Sequence, residues 1–274
     1  MGDAFDSAFA DASASSASTG RAFGLPAATT RPVSVGSFVG DVRRGGSCNC
    51  ETHTITPHGD GTHTEGVGHL LHDRVPVLGL VDPGLIPALV VTVEPARLDS
   101  VDDDVVGNHA PDDRVVDELS LQEAYDKAMQ GSPAHVKARA LVVRTAPGER
   151  QRAVASWSGG RAPFFTVDAA AWACGRGIEH LLVDLPSLDR EDDGGLLGAH
   201  RAFFDVPARA VHIHGPPPRR TITELIAVDS RVIDGLYALS LQLAPLEADA
   251  VPSRPLLFPL VASSPSWLRR GDTP

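Results

Sequence analysis

The segment between residues 138 and 187 constrains the fold more than any other part of the chain. Two aliphatic runs, ARALVVRTA (138–146) and IEHLLVDLPS (178–187), predict buried strands. Between them, PFFTVDAAAWACGRG predicts a helix that Thr166 caps and that ends at Gly175 and Gly177. A strand–helix–strand order is typical of parallel pairing, so we predict a parallel element within an α/β or α+β domain.

Similar runs predict the other main elements. ELSLQEAYDKAMQGSP predicts a helix with a capping box of Ser120 and Glu123 and a stop at Gly131 and Pro133. Further strands are predicted within five runs: NCETHTITP (49–57), PALVVTVEP (87–95), ITELIAVDS (222–230), GLYALSLQLAPL (235–246) and PLLFPLVAS (255–263). The sequence therefore predicts mixed α/β content.

Length and composition limit the domain count and the partners. With 274 residues and no internal repeat, the chain fits a flexible N-terminal arm (1–25) and a single domain (26–274). The formal net charge of −11 argues against binding to nucleic acid or to an anionic membrane. No apolar run approaches the roughly 20 residues of a membrane helix. The odd count of three cysteines and the lack of a secretory signal predict a cytoplasmic protein without a disulfide framework.

The most unusual segment is PHGDGTHTEGVGH (57–69), which combines histidines, acids and glycines. His63 and Glu65 are two residues apart, so an extended backbone points both side chains to one face. The glycines allow tight turns through which neighbouring side chains can converge. Imidazole and carboxylate together suit Zn²⁺, Mn²⁺ or Fe²⁺, and a carboxylate can bridge two ions. We predict a catalytic metal site with Glu65 as the bridging ligand; the alternative is a polar, turn-rich loop.

Part of this segment, GTHTEGVGH, resembles the signature of the metal-dependent cyclase family, whose best-known members are bacterial kynurenine formamidases. The family pattern is approximately His-x-Gly-Thr-His-x-Asp-x-Pro-x-His. Gly61, Thr62, His63 and His69 match it, whereas Glu65 replaces the aspartate and Val67 the proline. The resemblance extends from about Val39 to Ser263, through GIEHLLVDLPSLDREDDGGLLGAHRAFF and TITELIAV.

The resemblance implies a set of site residues. The metal ligands would be His58, His63, Glu65, His200 and Glu224, and the family's proton-transferring histidine falls on His69. The family's first ligand lies four residues before its second, where this chain has Gly59. His58 lies five residues before and would reach the site through a one-residue bulge, with Asp60 and His53 as alternatives. Trp157 is a candidate substrate-pocket residue, although a packed loop tryptophan is the alternative.

The resemblance also implies a fold and an activity. The fold would be α/β, a swivelling β/β/α domain with mixed sheets and flanking helices, in homodimers or homotetramers. The activity would be hydrolysis of a C–N amide bond by water activated on one or two Zn or Mn ions. The nearest named substrate is an aryl formamide, such as N-formylkynurenine of tryptophan catabolism. The alternatives are a family hydrolase that opens a cyclic amide or lactone, and a non-catalytic metal- or ligand-binding protein.

Overall fold

A computed structural model of the chain describes residues 10–11, 20–133, 135–146, 157, 159 and 162–260. Its helices are α1 (Glu118–Met129), α2 (Val167–Gly175) and α3 (Gly198–Phe204). Its strands are β1 (Ala10–Asp11), β2 (Thr29–Pro32), β3 (Ser34–Val35), β4 (Phe38–Val39), β5 (Glu51–Thr54), β6 (His63–Gly66), β7 (Leu85–Val93), β8 (Ala96–Arg97), β9 (Arg114–Val116), β10 (Ala140–Thr145), β11 (Phe164–Phe165), β12 (His180–Val183), β13 (Thr221–Glu224), β14 (Gly235–Leu243) and β15 (Ala250–Pro259). Short 3₁₀ turns form at Val42–Arg44, Pro57–Gly59, Val67–Leu70, Val77–Leu80 and Leu98–Ser100.

Seven of these strands form a closed, barrel-like sheet. Their order is β15-β14-β7-β10-β12-β13-β6, and β6 pairs again with β15 to complete the ring. The strands from β7 through β10 and β12 to β13 are parallel, as the strand–helix–strand pattern predicts. The remaining junctions of the ring are antiparallel. The chain thus has the mixed α/β fold expected from its sequence, with few helices and mixed sheets.

Alternating side chains on the parallel strands build two separate cores. On β7, Leu89, Val91 and Val93 pack with residues of the three helices. Ala88 and Val90 point the other way, into a cluster with β14 and β15 that contains no described helix residue. Because successive strand side chains face opposite sides, one strand serves both cores. Strands buried on both faces read as continuous apolar runs, which explains why β7 and β10 were recognisable in the sequence.

The helix boundaries mostly follow the predicted caps. Thr166 caps α2 and accepts a hydrogen bond from the Ala169 amide. Helix α1 begins earlier than its predicted capping box: Asp117 is the N-cap and accepts from the Ser120 amide at 3.0 Å. The prediction of a Ser120–Glu123 capping box was therefore wrong. The aspartate three residues ahead of Ser120 offers a stronger acceptor for the same free amides.

The N-terminal part of the chain lies against the barrel at several points. Most of the predicted arm (1–25) falls outside the described residues, but β1 pairs antiparallel with β15. Ala22 is buried, and Arg21 forms an isolated bridge with Asp60 beside the glycine-rich segment. Further along, β2 pairs with β5 and β3 with β4 in two short ribbons. None of the described helices is long and apolar enough to cross a membrane.

Candidate metal centre

The histidine-rich segment enters the barrel as β6, beside the end of the last parallel strand. β6 runs antiparallel to β13, with Glu224 opposite His63 and Ile222 opposite Glu65. This register brings the predicted residues of both segments to the carboxyl edge of the parallel strands, where α/β sheets usually bind their ligands. His63 and Glu65 share one face of β6, as their spacing predicts.

Four ionisable side chains form a fully buried layer of the site: His63, Glu65, His200 and Glu224. The Nε2 atom of His200 is 2.8 Å from Oε1 of Glu65 and 3.5 Å from Oε1 of Glu224. The Nε2 atom of His63 is 3.3 Å from Oε2 of Glu224. Two carboxylates with this little solvent are costly unless they are paired or bind a cation.

His63 is fixed in one tautomer by the backbone. Its Nδ1 donates to the Gly61 carbonyl at 3.1 Å, so in the neutral ring Nε2 carries the lone pair. That lone pair faces a carboxylate oxygen. His63 Nε2 and the two Glu65 oxygens make no hydrogen bond of regular geometry among the described residues, although His200 Nε2 lies 2.8 Å from one Glu65 oxygen and His58 Nδ1 lies 3.0 Å from the other. Acceptor atoms that face one another in a buried space fit a metal ion or a shared proton.

His200 lies in the first turn of α3, and a hydrogen bond at its Nδ1 orients its ring as well. Asp189 accepts from its Nδ1 at 2.6 Å and also from the backbone amides of Ala199 and His200. A carboxylate behind the ring fixes the tautomer and directs Nε2 at Glu65, an arrangement typical of metal-ligating histidines. Asp189 therefore both caps the helix and orients His200.

Glu224 ends β13 just before the chain turns sharply. The Leu188 amide donates to its Oε1 at 3.0 Å. Leu225, the next residue, has φ +54°, a left-handed conformation that costs a non-glycine residue about 1 kcal/mol. Its carbonyl accepts from Thr62 Oγ1 at 2.7 Å, which ties the turn to the residue before His63. The strained turn thus fixes Glu224 opposite β6.

A second, more open layer contains His58, His69 and Asp249, whose side chains are 25%, 26% and 32% exposed. Nδ1 of His58 is 3.0 Å from Oε2 of Glu65, and Nε2 is 3.6 Å from Oδ2 of Asp249. Nδ1 of His69 is 3.9 Å from Oε2 of Glu65 and 3.7 Å from Oδ2 of Asp249. Glu65 thus joins the two layers.

His58 reaches the site through a 3₁₀ turn at Pro57–Gly59. Gly61, with φ +89°, then turns the chain into β6. Gly59 stands against Leu25, where any added Cβ would lie 2.7 Å from that side chain. The two alternative residues lie elsewhere: His53 contacts Thr30 on an exposed ribbon, and Asp60 accepts from the Ala28 amide.

Charge pairing dominates the electrostatics of the cluster. Burial opposes a charge on His58, but Asp249 and Glu65 raise its pKa to about 10. Burial likewise opposes a charge on His200, while Glu65, Asp189 and Glu224 raise its pKa well above the usual value. Burial would raise the pKa of Glu65, but His69, His200 and His58 lower it well below the usual value. The carboxylates thus favour protonated imidazoles, and the imidazoles favour an ionised Glu65.

The donor atoms fall into two groups, each within 4.8 Å: His58, Glu65 and His69 in one, and His63, Glu65 and Glu224 in the other. Glu65 belongs to both, as a bridging ligand would. The first group brings His69 beside His58, and the second brings His63 beside Glu224. Imidazole nitrogens and carboxylate oxygens in this proportion fit a divalent metal ion.

A small pocket adjoins the cluster on the Asp189 side. Trp157 lines it, together with Ala22, Phe23, Ala162, Pro186, Ser187, Asp189 and Glu191. The Trp157 amide donates to the Arg21 carbonyl at 2.7 Å, which fixes the residue against the N-terminal segment. Trp157 therefore lines the same pocket as Asp189, the carboxylate that orients His200.

Two acidic residues complete the site beyond the predicted set. Asp189 lies just after the strand run IEHLLVDLPS, where an aspartate can equally cap a turn or orient a ligand. Asp249 was missed entirely, because it precedes β15 in an ordinary acidic loop, EADAV, without a motif. Only the pairing of β15 with β6, with Ala250 opposite Glu65, brings it to the cluster.

Residues 12–190 match a protein family described as "Putative cyclase". Comparison with curated proteins gives no match. Among solved structures, isatin hydrolase A from Labrenzia aggregata is similar, with TM-score 0.56 and 12% identity over 91% of this chain and 92% of that one. A novel cyclase has TM-score 0.57 and 13% identity over 91% and 87%. A predicted metal-dependent hydrolase from Bacillus stearothermophilus has TM-score 0.51 and 15% identity over 90% and 96%.

Proposed function

The chain belongs to the cyclase family, and on that premise we propose that it is a metal-dependent hydrolase of C–N amide bonds. The observation that carries the proposal is the buried set of acceptors around Glu65. His63 Nε2 and both Glu65 oxygens make no hydrogen bond of regular geometry among the described residues, and together with Glu224 they offer ligand atoms within 4.8 Å of one another. A buried carboxylate such as Glu65, surrounded by other acceptor atoms, is best explained as a ligand of a bound cation. The similar folds of a metal-dependent hydrolase and an isatin hydrolase support the proposal.

The proposed ligands are His58, His63, Glu65, His200 and Glu224, with Glu65 shared between two ions if two bind. The ion would be Zn²⁺ or Mn²⁺, since both accept mixed imidazole and carboxylate ligands. When bound, it supplies a Lewis acid that polarises the amide carbonyl and makes water a stronger nucleophile. The protein's own contribution is to fix the ligands: Gly61 and Asp189 set the ring orientations of His63 and His200.

His69 is the proposed proton carrier. Its Nδ1 faces Glu65 and Asp249, so Nε2, on the opposite side of the ring, is left for the reacting atoms. His69 would take a proton from water as the water oxygen bonds to the carbonyl carbon. It would then give that proton to the nitrogen as the C–N bond breaks. The ring is about one quarter exposed, which allows a substrate to approach it.

As the specific substrate we propose an aryl formamide, because the sequence signature resembles that of the kynurenine formamidases. A cyclic amide is the second candidate, because isatin hydrolase A shares the fold. Both reactions break the same type of bond, but ring opening yields one product and formamide hydrolysis yields two. The aromatic Trp157 in the adjoining pocket suits either aryl group.

The test combines metal analysis with a substrate panel. We expect the purified protein to carry Zn or Mn and to hydrolyse N-formylkynurenine or formanilide, with isatin as the cyclic comparison. His69→Ala should keep its metal and lose about 10²- to 10⁴-fold in kcat. Glu51→Gln, on the exposed strand β5, is the control that should retain both metal and turnover. A protein that binds no metal and hydrolyses none of these substrates after metal addition would rule out the proposal.

A further inference from the structure

We propose that Asp249 is a positioning residue that orients His69 for proton transfer. This inference rests on the proposed function of the same site, to which it adds a residue outside the family-like motifs. The carboxylate lies between the two partly exposed histidines, with Oδ2 3.7 Å from Nδ1 of His69 and 3.6 Å from Nε2 of His58. These separations are those of ion pairs, and contacts of this kind often tighten when a substrate binds.

The backbone holds Asp249 in this place from both sides. Its carbonyl accepts from the Gly66 amide at 3.0 Å, and the Ala248 carbonyl accepts from the Val77 amide at 2.9 Å. The following residue, Ala250, already pairs with Glu65 in the barrel. The carboxylate is therefore fixed relative to β6, on which the proposed ligands His63 and Glu65 lie.

Gly68, in the turn that carries His69, permits the close approach of the acidic loop. A Cβ at residue 68 would lie 3.2 Å from the Asp249 Cβ and 2.5 Å from the Val75 carbonyl oxygen. Any side chain would push the turn away from the loop. Gly68 thus allows His69 and Asp249 to lie close together, although they are far apart in the sequence.

The two carboxylates near His69 are suited to different tasks. Glu65 is fully buried, contacts His200 at 2.8 Å and belongs to both groups of possible ligand atoms. Asp249 is one third exposed and contacts the two partly exposed histidines, His58 at 3.6 Å and His69 at 3.7 Å. A carboxylate that is not engaged by the ion can accept from Nδ1 of His69 throughout the reaction. That bond keeps Nε2 unprotonated and turned towards the reacting atoms.

The test compares Asp249→Asn and Asp249→Glu with Glu247→Gln. The control removes the same charge from an exposed residue of the same loop. We expect Asp249→Asn to keep its metal and KM while kcat falls roughly 10- to 100-fold, less than for a buried triad aspartate. Asp249→Glu should regain part of kcat, and Glu247→Gln should match the wild type. Loss of metal from Asp249→Asn would make Asp249 a ligand and overturn the inference, and so would a change in KM alone or no change at all.

A spectroscopic readout separates this inference from the proposed function. In the full chain loaded with Zn²⁺, ¹⁵N NMR of His69, assigned with His69→Gln, should show a proton on Nδ1. Asp249→Asn should shift the population towards the Nε2 protonated form, whereas Glu247→Gln should not. An unchanged tautomer in Asp249→Asn would overturn the inference. A wild-type protein without amidase activity would instead refute the proposed function, and the NMR result would still decide whether Asp249 controls His69.

Discussion

Glu65 is the residue through which the buried and open layers of the site are joined. Its two oxygens face His200 on one side and His58 and His69 on the other. The nearby histidines outweigh the effect of burial and keep its pKa low. A fully buried carboxylate that stays ionised must have a cation close by, whether a proton on a histidine or a metal ion.

Glu65→Gln keeps the shape of the side chain and removes its charge. We expect the affinity for Zn²⁺ to fall by more than about 100-fold, since losing a ligand should cost more than the 10- to 100-fold typical of its outer partners. Competition with a chromogenic chelator measures this affinity. Glu51→Gln is the matched control on an exposed strand. A Glu65→Gln protein with undiminished affinity would exclude Glu65 as a ligand.

Among single residues, the sequence alone predicted only those site residues that lie within one short segment. His63, Glu65 and His69 were recognisable because residue type and spacing within PHGDGTHTEGVGH limit their geometry. His200 and Glu224 needed a family resemblance, because nothing local distinguishes a histidine in a helix or a glutamate at a strand end. Asp249 gave no signal, since its role depends on a strand pairing that no local pattern encodes.

At the scale of elements, the strands buried on both faces were the easiest to predict. The runs that became β7, β10 and β12 each contain an unbroken aliphatic stretch, whereas β6 is polar and short and was predicted only as an extended segment. Polar β6 is nevertheless fully buried, because β13 and β15 pair with it on both sides. Propensity does not anticipate such a strand, since its partners are chosen by tertiary contacts.

Strand β12 carries a titratable group that makes stability depend on pH. His180 is buried at the start of the strand, with Nδ1 2.9 Å from Thr221 Oγ1. Burial lowers its pKa to about 4, compared with about 6.5 in the unfolded chain. The unfolded chain thus takes up this proton first as the pH falls. The stability contributed by neutral His180 is present above about pH 6.5 and is lost on the way down to pH 4.

We expect the titration of His180 to lower the free energy of unfolding by roughly 3 kcal/mol between pH 7 and pH 4. Urea unfolding of the wild type and of His180→Gln, measured at several pH values, isolates the contribution. The difference between the two proteins should shrink towards low pH, because glutamine does not titrate there. Parallel stability curves for the two proteins would contradict the assignment.

For the whole molecule, the site lies where the barrel closes. β6 joins β13 to β15, and the candidate ligands come from β6, β13, α3 and the turn before β6. A bound ion would therefore link parts of the chain that are far apart in sequence. The sequence predicted the α/β class, but this topology followed only from the family resemblance, because strand order is fixed by long-range pairing.

Metal binding should therefore stabilise the whole fold. At a free Zn²⁺ concentration 100 times the Kd, the free energy of unfolding should rise by about 2.7 kcal/mol. For a domain of this size, that corresponds to an increase in Tm of roughly 5–10 °C, reversed by a chelator. Differential scanning calorimetry with and without Zn²⁺ measures the shift. Glu65→Gln should show a smaller shift, and an equal shift in both proteins would mean that the ion binds elsewhere.

The position of β15 also sets an order of events during synthesis. This strand pairs with β1, β14 and β6, and it is the last described strand of the chain. While the protein is being translated, the parallel strands and the histidine-rich segment emerge first and must wait for β15 before the ring can close. A nascent chain thus holds all five candidate ligands before it holds Asp249, so the arrangement around His69 is the last part of the site to be completed.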